Sequence, residues 1–154
     1  MIAAARAVTP SLPVLYHSDG KLTGLLPDLI DAGVTAINPV QPECMPTRET
    51  KREFGRDLVL WGCCPVQSVY AFGTRGDVEA HVSLLRELGA EGGLVTQFYN
   101  MILTPTVREN LRTFFEVFAA AWPLSPAPPA SASQSGRRGL PQGAEGCARR
   151  AASR

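Results

Sequence analysis

The sequence predicts an α/β fold: four consecutive βα units, half of a parallel α/β barrel, followed by a tail that does not fold. Three observations predict it. Short apolar runs rich in β-forming residues recur at residues 12–17, 34–40, 58–63 and 93–98. A helical stretch follows each run. From Pro123 onward large apolar residues all but vanish.

Each run is nearly continuous rather than alternating, the pattern of a parallel strand covered on both faces. After the first run, Leu22, Leu25, Leu26, Leu29 and Ile30 form one apolar stripe, and Gly33 is placed to end that helix. The second helix, over residues 47–54, is short and polar, and Gly55 stops it. Val78, Val82, Leu85 and Leu88 form the third stripe, with Gly89 at its end. Leu111, Phe114, Phe115 and Phe118 form the fourth. Thr106-Val-Arg-Glu109 reads as a capping box for that last helix, its hydroxyl and carboxylate each satisfying a free backbone N–H. Alternation of this kind requires parallel strands joined by right-handed crossovers. The repeat of about 20 to 35 residues is close to the roughly 30 of a barrel unit. A flavodoxin-like open sheet is the competing architecture. It calls for a glycine-rich phosphate loop after the first strand, and His17-Ser-Asp-Gly20 is not such a loop.

With 154 residues, 45% hydrophobic and 19% charged, the chain has a globular composition and room for one domain of ordinary size. A net charge of +1 gives no pointer to nucleic acid or to an anionic membrane. No apolar run approaches the roughly 18 residues that span a bilayer. The opening MIAAARAVTP lacks the apolar core of a signal peptide. A cytoplasmic protein with no membrane or nucleic-acid partner is expected. Cys44, Cys63, Cys64 and Cys147 are too few and too oddly spaced for a disulfide scaffold, so reduced thiols are expected. The chain therefore divides into a barrel-like domain over residues 1–122 and a tail over 123–154. The tail is rich in Pro, Ala, Ser, Gly and Arg, cannot bury enough surface to offset its ordering entropy, and is expected to be disordered. Its Arg-rich end offers contacts to anionic partners. A solvated appendage, or translation past a lost stop signal, is the plainer reading.

Chemistry in a parallel barrel sits at the C-terminal ends of the strands. Those ends carry His17, Ser18 and Asp19, then Asn38 and Gln41, then Cys63, Cys64 and Gln67, then Gln97, Tyr99 and Asn100. For Asp19, Gln67 and Tyr99 a role in capping the next helix competes with a role in binding. A histidine that closes an apolar strand before Ser-Asp-Gly has fewer structural reasons to be there. His17 and Asp19 lie two apart and so share a side, and zinc accepts both imidazole and carboxylate. The adjacent Cys63 and Cys64 point to opposite faces of a strand, so at most one looks into a barrel mouth. Buried, inert cysteine is the plainer reading of both.

On these residues the sequence resembles the uroporphyrinogen decarboxylase family, over residues 7–121. The resemblance rests on LPVLYHSDGKLTGLLPDLIDAGVTAINPVQPECM, on LVLWG followed by FGT, and on PTVREN before the last helix. It implies the C-terminal half of a (β/α)8 TIM barrel, strands five to eight, with MIAAARAVTP at the end of the fourth helix and Met1 in mid-fold. True decarboxylases of the family remove carboxylates from a tetrapyrrole without metal, in porphyrin biosynthesis. They use an aspartate from the N-terminal half and a histidine after the last strand, where this chain has Asn100. Relatives transfer methyl groups from a corrinoid to a thiol and bind zinc through His-x-Cys-Gly and a later Cys. Here the first motif reads His17-Ser18-Asp19-Gly20, and the later position is again Asn100. HSDG and NPVQ lie nearer the methyltransferase-like branch.

The resemblance thus places His17, Asp19 and Asn100 at family site positions, with His17 and Asp19 as the zinc candidates. Asn38, Gln41, Gln67 and Tyr99 are the candidates for binding a tetrapyrrole or corrinoid-linked substrate. The expected function is that of a truncated member of this family, of decarboxylase or corrinoid-dependent methyltransferase type, inactive alone. The rival is a non-catalytic fragment that pairs with another half-barrel, or with itself through open sheet edges.

Overall fold

In the computed structural model, which describes residues 1–99 and 103–121, the four apolar runs become strands and the stretches between them become helices. Asn100 and the tail over 123–154 lie outside the described residues. Helix α1 (Ile2–Val8) precedes β1 (Leu15–His17), a 3-10 turn (Thr23–Leu25) and α2 (Leu26–Asp31). Then come β2 (Ala36–Val40), α3 (Thr47–Phe54), β3 (Val59–Cys63), α4 (Val69–Phe72), α5 (Arg75–Gly89), β4 (Leu94–Gln97) and α6 (Pro105–Ala121). The strands are all parallel, in the sequential order β1-β2-β3-β4. A doubly wound sheet reverses its order at a switch point. No reversal occurs among the described residues.

Local chemistry explains the boundaries. Helix α1 is alanine-rich and so a strong helix former. Arg6 ties it down, donating to the carbonyls of Gly33 at 2.7 Å and Leu12 at 3.4 Å. Strand β1 starts later than the apolar run because Pro10 and Pro13 have no N–H to give a ladder. Gly33, with φ +96°, supplies the left-handed residue after α2. The expected capping box at Thr106 is wrong. Pro105 already opens α6, and the cap is Thr104, whose hydroxyl accepts from Val107 N–H at 3.2 Å. Proline at the first helical position loses nothing, because that N–H has no intrahelical partner. A true capping box starts α5, where Thr74 and Asp77 exchange bonds. Phe115, placed in the α6 stripe by its spacing, is instead 60% exposed. Asn110, within the PTVREN stretch, is buried and donates to the carbonyls of Val69, Tyr70 and Gly73 at 3.0–3.2 Å. It thereby closes the C-terminal end of α4.

The two faces of the sheet differ. Register aligns Tyr16, Ile37, Leu60 and Leu94 in one row. That row packs into a single core with Leu26, Phe54, Val78, Val82, Leu85 and Phe114 from the helices. On the opposite face, Leu15, Ala36 and Val59 align, and Trp61 aligns with Val95. Leu15 is 47% exposed and Val95 38%. Leu12, Ala36, Val59, Trp61 and Val95 line an open cleft of about 530 Å³ on this side. Among the described residues, the expectation of strands covered on both faces therefore fails at β1 and β4, because the helices cover only one. Among the described residues, no helix is long and apolar enough to cross a membrane.

Candidate functional site at the strand ends

His17 ends β1 and pairs in register with Asn38 of β2. Between Ile37 and Val40 the pairing with β3 slips: Ile37 faces Leu60, whereas Val40 faces Gly62. Strand β2 thus carries one residue more than β3 across this stretch, a bulge of the kind that re-aims a side chain. Gly62 permits it. Its φ is +118°, and a Cβ there would lie 3.0 Å from Val40 N and 3.1 Å from Val40 O. The Asn38 amide reaches in two directions. Its Oδ1 lies 2.8 Å from His17 Nδ1, and its Nδ2 donates to Gln97 Oε1 on β4 at 2.8 Å. One buried amide so links three of the four strands.

A second amide of the same segment holds the carboxylate. Gln41 Oε1 accepts from Gly20 N–H at 2.7 Å, and Gln41 Nε2 donates to Asp19 Oδ1 at 3.0 Å. Gly20, at φ +89°, makes the turn that this requires. Asp19 does not cap the next helix: the turn after it starts from Leu22, with no side-chain cap. Asn38 and Gln41 are buried, while His17 and Asp19 remain exposed.

Tyr99 and Gln67 stand apart from this cluster. Tyr99 is buried and its hydroxyl donates to the Cys64 carbonyl at 3.1 Å. Burial, and after it the charge of Glu43, pushes its phenol up. Gln67 is exposed, and its backbone N–H donates to Glu43 Oε1 at 3.0 Å, as does the Ser68 hydroxyl. Glu43 thus ties the loop after β2 to the loop after β3. Cys63 and Cys64 are both fully buried. Burial pushes the Cys63 thiol up to about 12, and burial followed by the neighbouring Cys63 raises Cys64. Buried in this way, neither thiol is open to an incoming reactant.

The second histidine went unnoticed in the sequence because it lies within the apolar stripe of α5. His81 is buried, with Nδ1 2.7 Å from the Tyr70 hydroxyl and Nε2 3.0 Å from the Cys63 carbonyl. Burial lowers its pKa. It pins the end of β3, where Cys63 adopts a φ of +60°. Gln97 was visible only as one polar strand end among many, and its part in the His17 cluster depends on the bulge in β2.

Zinc finds too few donors here: His17 and Asp19 are two, and Cys63 and Cys64 are fully buried. Among the described residues no three His, Cys, Asp or Glu side chains converge. The arrangement instead presents one oriented imidazole and one oriented carboxylate, able to accept hydrogen bonds and to exchange protons. Comparison with known protein families, with curated proteins and with solved structures finds no match to this chain.

Proposed function

We propose that this chain is the C-terminal half of a (β/α)8 barrel of the uroporphyrinogen decarboxylase family, nearer its corrinoid-dependent methyltransferase branch, and that these four units do not turn over substrate alone. The observation that carries the reading is the His17–Asp19 pair at the C-terminal end of the first of four sequential parallel strands, held by amides of the NPVQ segment. Both segments lie within the longest of the stretches that carry the family resemblance. A tetrapyrrole or corrinoid-linked substrate would lie against this rim, in a cytoplasmic setting. Inactivity follows from what the four units lack. The family's decarboxylation uses an aspartate of the other half, and its thiol methylation uses a zinc site that the donors described here do not make.

The test is to purify the full chain and assay uroporphyrinogen decarboxylation and corrinoid-dependent thiol methylation, with and without zinc. The reading predicts rates equal to the protein-free control in both. Turnover that His17→Ala abolishes would contradict it.

A second reading is supported by the open sheet face and by β1 and β4, which stand at the sheet's edges among the described residues. In it, the chain is a half-barrel that pairs with a second half-barrel or with a copy of itself. A two-fold axis along the barrel would set β4 of each copy beside β1 of the other with all strands parallel.

A further inference from the structure

We infer that the Asn38–Gln97 relay fixes the tautomer of His17, placing its proton on Nδ1 and turning an Nε2 lone pair to the C-terminal rim of the sheet. Carbonyl oxygens only accept hydrogen bonds. Gln97 Oε1 takes a proton of the Asn38 amide nitrogen at 2.8 Å, so the atom that Asn38 turns to His17 is its oxygen. The bond of 2.8 Å between that oxygen and His17 Nδ1 then requires the proton on Nδ1. In a neutral ring the other nitrogen is left as the acceptor. No bond to Nε2 occurs among the described residues, and the ring is exposed.

His81 supplies the opposite case within the same chain. Its Nε2 faces the Cys63 carbonyl at 3.0 Å and must carry the proton, while Nδ1 accepts from the Tyr70 hydroxyl at 2.7 Å. The protein has two histidines, so the inference assigns one ring to each tautomer. Asn38 and Gln97 are positioning residues in this account. They act through His17, and Gln97 does so from a sequence distance of 59 residues beyond Asn38.

The consequence is chemical polarity. Nε2 of His17 and the carboxylate of Asp19 both accept, so the rim suits a ligand that brings N–H or O–H donors and can give a proton to His17. This goes beyond the proposed family membership and does not depend on it.

Uniformly ¹⁵N-labelled full chain, studied by long-range ¹H–¹⁵N correlation at a pH where both rings are neutral, tests the inference. One ring should show a protonated Nδ1 and a bare Nε2, the other the reverse, and His17→Gln should remove the first pattern. Gln97→Glu keeps an acceptor opposite Asn38 and should preserve the Nδ1–H form. Gln97→Lys offers only donors, so the Asn38 amide must turn over and His17 should switch to Nε2–H. The His81 pattern reports in each variant whether the core is intact. Two rings in the same tautomer would overturn the inference. So would a folded Gln97→Lys variant in which His17 is unchanged. If that variant does not fold, the wild-type and Gln97→Glu spectra still decide.

Discussion

Leu60 and Trp61 are neighbours in β3 and point to opposite faces of the same sheet. Leu60 is fully buried among helix side chains, while Trp61 borders an open cleft with Val59 and Val95. The chemistry of the two residues is similar, but what covers them differs. An apolar strand records that both faces were meant to be covered. Among the described residues, helices cover one and leave the other open.

The largest effects belong to the covered face. Leu60→Ala should cost about 2–5 kcal/mol, read as a fall in the urea midpoint, because it leaves a cavity in a packed core. Val95→Ala on the open face should cost under about 0.5 kcal/mol, since half-solvated side chains lose little on truncation. Equal costs would break the comparison, for they would mean that the second face is covered in solution.

How much of this difference was legible in the sequence depended on range. The four strands and their order were, because continuous apolar runs and the glycine after α2 are local signals. The α6 cap was misread because Thr106 and Glu109 satisfy a spacing rule that Pro105 at the helix start overrides. The open face was not legible because a strand covered on one side and a strand covered on both can carry the same apolar residues. At the site, His17 and Asp19 stood out as polar groups closing an apolar strand. The bonds that hold them did not, since Asn38 and Gln41 are 21 and 22 residues distant and their reach depends on the bulge opposite Gly62.

That bulge offers the next test. Gly62→Ala should destabilise the fold by about 1–3 kcal/mol, because φ of +118° disfavours any side chain and the Val40 backbone fills the space. An unchanged melt would show that β2 and β3 do not approach as described. A comparable loss, about 1–3 kcal/mol, is expected for Tyr70→Phe, which strips the buried His81 Nδ1 of its donor. The histidine also sets a pH window. Its folded pKa is lowered from 6.5, so the unfolded chain takes up the proton first as pH falls. Its contribution is complete above 6.5 and declines below that value until the folded pKa is reached. Urea midpoints at stepped pH should trace this fall. Asp77, whose carboxyl is held low by Thr74, should add its loss only at lower pH. A midpoint that rises as pH drops below 6.5 would contradict the buried neutral ring.

The smallest effect is expected on the surface. Arg48 and Glu87 join α3 to α5, yet both side chains are more than half exposed, and solvent screens the pair. Arg48→Ala should leave the melt unchanged within error. A measurable loss would make the link between these helices stronger than its exposure allows.

The central claim, that among the described residues one face and both edges of the sheet lack their cover, is tested most directly by light scattering of the full chain across a range of concentrations. Self-association at micromolar concentration is predicted, and it should weaken in a Leu15→Lys/Val95→Lys double variant that puts charge on both edge strands. A monodisperse monomer at every concentration, melting in one sharp cooperative transition, would contradict the account.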